Sequence, residues 1–301
     1  MADRSSSYQI LMNQYEKINL EDYTQSGEGG QALTYTRKDG TALAKMFIYG
    51  LGAEDVEREY RISKAVYEAG IPCPRPIRLV TDGERFGAEY EVIAGKRSYT
   101  RIISEDPGQL EPLTIKFARL GKDIHQTPAN TEVFPDVKDV IRPWIEKSEC
   151  ISEPLRKRLL DTLESLPGSK TCLHGDFHIG NIITNGVKDY WIDLGDFAYG
   201  APEWDLSMNF YLACYMSPEY MDSLFHLDNA TYRKHWDLLL KHYYGIHTLE
   251  EQREREKKLL KFTALKMFYN YCKRFNGKGE PNPRFEGLAN AFLSGTAPGI
   301  F

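Results

Sequence analysis

Residues 173–205 read LHGDFHIGNIITNGVKDYWIDLGDFAYGAPEWD, the densest run of chemistry-bearing side chains in the chain. Asn185-Gly186 separates the apolar-rich stretches Ile182–Thr184 and Lys188–Ile192, and an Asn-Gly pair accepts the positive φ of a tight hairpin turn. A hairpin folds back on itself, so Asn181 at its entrance and Asp193 at its exit are expected side by side. An amide oxygen and a carboxylate converging on one spot suit Mg2+, which takes one or two protein oxygens and completes its shell with waters and substrate phosphates. Asp176, on the loop leading into the hairpin, is placed to accept a proton from a hydroxyl brought near that metal. No one of these residues is informative alone. The order Asp, four residues, Asn, hairpin, Asp-x-Gly is specific.

Upstream, the first ninety residues read as strands and turns around one helix. Gln31–Arg37 and Thr41–Tyr49 flank Lys38-Asp39-Gly40, which is turn chemistry, and glycines cluster just before them at Gly27, Gly29 and Gly30. Ala53–Ala69 is rich in helix formers, runs Val56, Tyr60, Ser63 and Tyr67 along one stripe, and stops at Gly70. Ile77–Val80 and Ala88–Ile93 read as two more strands around Thr81-Asp82-Gly83. Lys45 interrupts the apolar run 41–49 on the face of Leu43 and Phe47, an odd place for an ammonium unless it meets a phosphate. After Ala94-Gly95 the pattern turns helical, at Leu113–His125, Glu153–Ser165 and through residues 203–275. Leu249–Lys261 reads as a solvated amphipathic helix.

These motifs resemble the Asp-x-x-x-x-Asn catalytic loop and the Asp-Phe-Gly metal site of kinases. HGDFHIGN followed by IDLGD is similar to the aminoglycoside phosphotransferase and choline kinase family, the small-molecule branch of the protein-kinase-like fold. The match is close over residues 172–206 and looser elsewhere. The resemblance implies that Asp176 is the catalytic base, that Asn181 and Asp193 hold Mg2+, and that Asp205 braces the loop. His174 and His178 match the pattern and are expected to serve the loop structurally. It also implies that Lys45 holds nucleotide phosphates and pairs with Glu59 on the following helix, Glu57 being the second candidate. Gly27, Gly29 and Gly30 stand where a phosphate-covering loop is expected, although the segment does not read G-x-G-x-x-G. Glu91 and Ile93 fall in the stretch that looks like the adenine-holding hinge. Gly175 replaces the arginine that anchors an activation-loop phosphate in protein kinases, so no activation by loop phosphorylation is expected.

The expected fold is therefore α+β and two-lobed, with a nucleotide-binding lobe over residues 1–95, a mainly helical catalytic and substrate-binding lobe over 96–301, and the active site between them. The expected reaction moves the γ-phosphoryl group of ATP or GTP to a hydroxyl of a small molecule such as an aminoglycoside, amino alcohol or sugar derivative. Trp204, Tyr211, Tyr215, Phe268 and Tyr271 are the rings available to an acceptor. Two other classes compete: a metal hydrolase built on His174, Asp176 and His178, and a non-catalytic nucleotide-binding module. Composition narrows the field further. The chain has 301 residues and a net charge of −5, which disfavours nucleic acid; 42% hydrophobic and 27% charged residues are ordinary for a globular chain. Its 5 cysteines form no Cys-x-x-Cys pair, the N-terminus lacks an apolar leader and no stretch suits a bilayer, so a cytoplasmic protein with no membrane or protein partner is expected.

Overall fold

The first part of the chain forms a six-stranded sheet ordered β1-β5-β6-β4-β3-β2. The structure, a computed structural model, describes residues 15–28, 32–48 and 52–298. The strands are β1 (Glu16–Lys17), β2 (Tyr23–Glu28), β3 (Ala32–Arg37), β4 (Leu43–Phe47), β5 (Pro76–Thr81) and β6 (Phe86–Tyr90). Only β1 and β5 pair in parallel; the others are antiparallel. Alternation decides the faces of β4. Ala44 and Met46 are buried with Ile18, Tyr23 and Val80, whereas Phe47 packs with Tyr15, Ala32 and Val56 on the opposite side. Lys45 shares the Phe47 face. Strand β6 stops at Tyr90, so Glu91 and Ile93 lie beyond it, in irregular chain where the Glu91 N–H donates to the Arg75 carbonyl at 2.9 Å.

Between β4 and β5 runs α1 (Ala53–Glu68), which buries Val56, Ile62, Ser63 and Val66. The Val56, Tyr60, Ser63, Tyr67 stripe expected from sequence is thus rotated: Tyr67 is 43% exposed. Aliphatic Ile62 and Val66 take the core and the tyrosine hydroxyl keeps water. Because a helix turns once in 3.6 residues, Glu59 falls in the middle of the buried arc.

The chain continues through β7 (Arg97–Ser98), α2 (Tyr99–Glu105), α3 (Leu110–Gln126), α4 (Val137–Lys147), α5 (Glu153–Ser165) and β8 (Cys172–Leu173). A hairpin of β9 (Ile182–Thr184) and β10 (Asp189–Trp191) follows. Gly186 supplies a φ of 86° at its turn, and Asn185 Oδ1 accepts the N–H groups of Val187 and Lys188. The remaining elements are β11 (Ala198–Tyr199), antiparallel to β8, and helices α6 (Glu203–Tyr215), α7 (Pro218–Phe225), α8 (Asn229–Tyr244), α9 (Leu249–Phe275) and α10 (Pro283–Leu293).

The residues group into two compact units, Met1–Lys96 with Ile183–Gly195, and Arg97–Ile182 with Asp196–Phe301. The hairpin thus groups with the first unit, its β10 fastened by the Trp191 N–H to the Pro72 carbonyl at 2.8 Å. Helix α9 corrects another expectation. Only its first turns are solvated; Glu256, Leu259 and Leu260 are buried, and residues 262–269 are buried all round. No helix among the described residues is long and apolar enough to cross a membrane.

Candidate active site

In the first unit, β4, α1 and the end of the hairpin bring three charged side chains together. Lys45 Nζ lies 2.7 Å from Glu59 Oε1 and 3.2 Å from Asp193 Oδ1. Glu57 is not among its partners in the described residues. Burial alone would push the Lys45 ammonium down, but the carboxylates of Glu59 and Asp193 hold it above the usual lysine range. Asp193 takes up a φ of 61°, in the left-handed region that non-glycine residues rarely enter. Two residues on, Gly195 lets the backbone pass Glu59: a Cβ there would come 3.2 Å from Glu59 Oε2. Gly27 lies inside β2 rather than in a loop, at the bulge opposite Thr34, where a Cβ would come 2.6 Å from Thr34 Oγ1. Gly29 and Gly30 fall outside the described residues.

In the second unit, the loop from β8 toward the hairpin is held by its own backbone. Asp205, at the start of α6 and 1% exposed, accepts the His174 N–H at 2.7 Å and the Gly175 N–H at 3.0 Å. His125 Nε2 approaches the same carboxylate at 3.0 Å, and His125 Nδ1 meets the Tyr243 hydroxyl at 2.7 Å. Asp205 is therefore a brace, and Gly175, with a φ of 81°, supplies the bend. Phe177 anchors the other side of Asp176 in the core, its ring tilted against Phe117 with centroids 4.5 Å apart and lying over Gly121, where a Cβ would sit 2.6 Å from its ring. Asn209 Nδ2 donates to the Phe177 carbonyl at 2.7 Å.

That framework leaves the Asp176 carboxylate half-buried. His178 Nε2 stands 3.4 Å from its Oδ2, and the His178 ring packs edge-on against Phe225. Burial works to raise the carboxyl, but His178, Lys266 and His174 outweigh it and hold it well below the usual carboxylate range. An ionised carboxylate is the state that accepts a hydrogen bond from an incoming hydroxyl. Asn181 Nδ2 donates to the Asp176 carbonyl at 2.8 Å and to its Oδ2 at 3.3 Å. Asn181 Oδ1 makes no hydrogen bond among the described residues, an uncommitted hard oxygen. Asn181 in the second unit and Asp193 in the first each offer a hard oxygen of the type Mg2+ takes. Among the described residues, no group of three or more His, Cys, Asp and Glu side chains is arranged to hold a metal; His178 lies against Asp176 and Phe225, and the His174 N–H is taken by Asp205.

Two of the rings expected to meet an acceptor are core: Trp204 is 2% and Phe268 0% exposed. Tyr211 stacks on Tyr215, and Tyr271 on Phe285. Sequence reasoning missed His125, Asn209, Lys266 and Lys273. Lys273 grips Asp196 with 2.8 Å contacts to both carboxylate oxygens. Nothing in the order of residues marks any of them, because each lies on a helix far along the chain from the loop it holds.

A family model described as the phosphotransferase enzyme family matches residues 22–237. Among curated proteins, acyl-CoA dehydrogenase family member 11 of Pongo abelii is 25% identical over 204 residues, covering 60% of this chain and 25% of its own length; the Homo sapiens protein matches equally. The chain thus spans about a quarter of those relatives. Among solved structures, a thermostable mutant of aminoglycoside phosphotransferase APH(4)-Ia, in ternary complex with AMP-PNP and hygromycin B, superposes with a TM-score of 0.59 at 13% identity, over 98% of this chain and 99% of that one. A choline/ethanolamine kinase family protein from Mesorhizobium loti gives 0.53 at 15% identity, over 90% and 85%. At such identities the likeness shows a common fold, the α+β protein-kinase-like architecture.

Proposed function

The chain belongs to the phosphotransferase enzyme family, and from that membership we propose that it transfers the γ-phosphoryl group of ATP or GTP to a hydroxyl of a small molecule. The observation that carries this reading is Lys45 shared between Glu59 and Asp193, residues far apart in sequence and brought together in one unit. A phosphoryl-transfer site needs that charged set; a hydrolase built on His174 and His178 does not. The first unit, 1–96 with the hairpin 183–195, acts as the nucleotide lobe, and the second as the catalytic and acceptor lobe. Lys45 holds the α- and β-phosphates, kept charged and aimed by Glu59. Gly27 and the chain around Glu91 and Ile93 serve the nucleotide.

Asn181 and Asp193 are the oxygen donors for Mg2+, which when bound neutralises charge on the phosphate oxygens. Asp176, ionised and fixed by its braced loop, orients the acceptor hydroxyl in line with the γ-phosphorus and takes its proton as the new P–O bond forms and the bond to the β,γ-bridging oxygen breaks, leaving ADP or GDP. The solved relatives carrying hygromycin B or named for choline support a small, hydroxylated acceptor as the class. The test is ADP release from ATP, and GDP release from GTP, over a panel of aminoglycosides, amino alcohols and sugar derivatives, with and without Mg2+. Asp176→Ala should collapse turnover and leave Mg·ATP affinity intact. Wild-type-like turnover in that variant would sink the assignment, and no ADP release together with no Mg·ATP binding in the wild type would sink the function.

A further inference from the structure

Lys266 is the only lysine or arginine buried among the described residues, at 4% exposure. It sits on α9 with buried Leu265, Met267 and Phe268 beside it, where an apolar side chain would pack without penalty. Its Nζ donates to the Gly175 carbonyl, and it has no carboxylate partner at ion-pair distance among the described residues. An ammonium in that position is expensive unless its charge is used.

The peptide it meets is the one before Asp176. The Gly175 N–H goes to Asp205 and the Gly175 C=O to Lys266, so both polar groups of that residue are taken by buried side chains from two helices. Gly175 also lies against the Asp196 carbonyl, where a Cβ would come within 1.8 Å, which leaves it no room to move toward that turn. The same face of α9 carries Tyr269, whose hydroxyl donates to Asp196 Oδ1 at 3.3 Å, and Lys273, which holds both Asp196 oxygens at 2.8 Å. Positions 266, 269 and 273 are helix neighbours at i, i+3 and i+7. A cavity of about 20 Å3, room for one water, borders Lys266, Gly175, Asp196 and Asp205.

We propose that Lys266 is a positioning residue: its buried ammonium holds the Gly175 carbonyl and thereby fixes the direction in which the Asp176 carboxylate points. The inference rests on the reading of Asp176 as the catalytic base. It predicts that Lys266→Met lowers kcat about 10- to 100-fold while the KM for Mg·ATP stays within about twofold, the pattern of a misaimed group rather than a lost binding contact. Lys266→Arg, for which the adjoining cavity leaves room, should recover most of that loss.

Turnover is measured as ADP release from Mg·ATP, with water as acceptor and with any acceptor the panel identifies. Wild-type kcat in Lys266→Met, or an effect on KM alone, overturns the proposal. A loss that Lys266→Arg does not recover marks a purely structural role and overturns it too. If Lys266→Met does not fold, the wild-type chain labelled with 15N-lysine and 13C-glycine decides. A solvent-protected ammonium signal coupled across the hydrogen bond to the Gly175 carbonyl supports the contact, and its absence removes the basis of the proposal. Asp176→Ala is run alongside. If it keeps its turnover, the base assignment fails; if it is dead while Lys266→Met turns over normally, only the positioning role fails.

Discussion

Lys45 Nζ stands 2.7 Å from Glu59 Oε1, joining the third residue of β4 to the seventh of α1. The pair is partly shielded from water, at 21% and 13% side-chain exposure, so it is worth more than an open surface pair. Lys45→Met should weaken Mg·ATP binding by about tenfold, roughly 1.4 kcal/mol. Glu59→Gln, which frees the ammonium to swing toward Asp193, should lower turnover with a smaller change in affinity. Calorimetric titration of both variants with Mg·ATP checks this, and unchanged affinity in Lys45→Met would remove Lys45 from the nucleotide site.

Gly175 and Gly186 both have positive φ, 81° and 86°, but their surroundings differ. A methyl group at Gly186 meets nothing within 4 Å, whereas at Gly175 it would lie 1.8 Å from the Asp196 carbonyl oxygen. Gly186→Ala should cost about 1 kcal/mol, the backbone strain alone. Gly175→Ala adds an overpacking penalty of about 1–3 kcal/mol or more and should also disable turnover. Urea unfolding midpoints compare the two directly; equal losses would contradict the difference in contact.

Asp205 serves two backbone N–H groups and His125 from a fully buried position. Asp205→Ala would leave those donors without a partner, a loss of about 3 kcal/mol or more, while Asp205→Asn keeps one acceptor oxygen and should lose less. Thermal denaturation should rank wild type above Asn above Ala. A melting temperature for the alanine variant within error of wild type would disprove the brace.

His235 gives a pH dependence whose sign follows from its hydrogen bonds. The Thr114 hydroxyl donates to the Leu110 carbonyl at 2.7 Å, so His235 Nδ1, 2.9 Å from Thr114 Oγ1, must carry the proton. Its Nε2 is buried without a partner among the described residues, and burial pushes the imidazole from 6.5 down to about 3. The unfolded chain therefore binds a proton that the folded one refuses. The stability carried by neutral His235 is complete above pH 6.5 and is lost progressively as the pH falls from 6.5 toward 3, by up to about 1.4 kcal/mol per unit. His235→Gln should flatten that part of the stability profile, measured by urea unfolding between pH 7 and about 4; an unchanged slope would show that other groups set it.

Much of this protein was readable from local chemistry. The Asn185-Gly186 turn, the strands on either side of it and the Lys38-Asp39-Gly40 hairpin follow from residues within a few positions of one another, because turn and strand preferences act at that range. Helix Glu153–Ser165 is bounded in the structure as its periodicity predicts. The order Asp176, Asn181, Asp193 pointed to oxygen ligation and proton transfer for the same reason: spacing along a short loop limits what its side chains can do together.

Other features were settled only by packing. The sequence stripe on α1 ran through Tyr67, but which face turns inward depended on the competition between Ile62, Val66 and the tyrosines for one apolar surface. The solvated reading of Leu249–Lys261 missed that α9 runs on into the core, where eight consecutive buried positions erase the amphipathic signal. Above all, the loop around Asp176 is held by His125, Asn209, Asp205 and Lys266, which come from three separate helices. Local sequence named the charged residues of the proposed site. The helices that aim them are brought in by long-range burial, which leaves no periodic mark in the order of the residues.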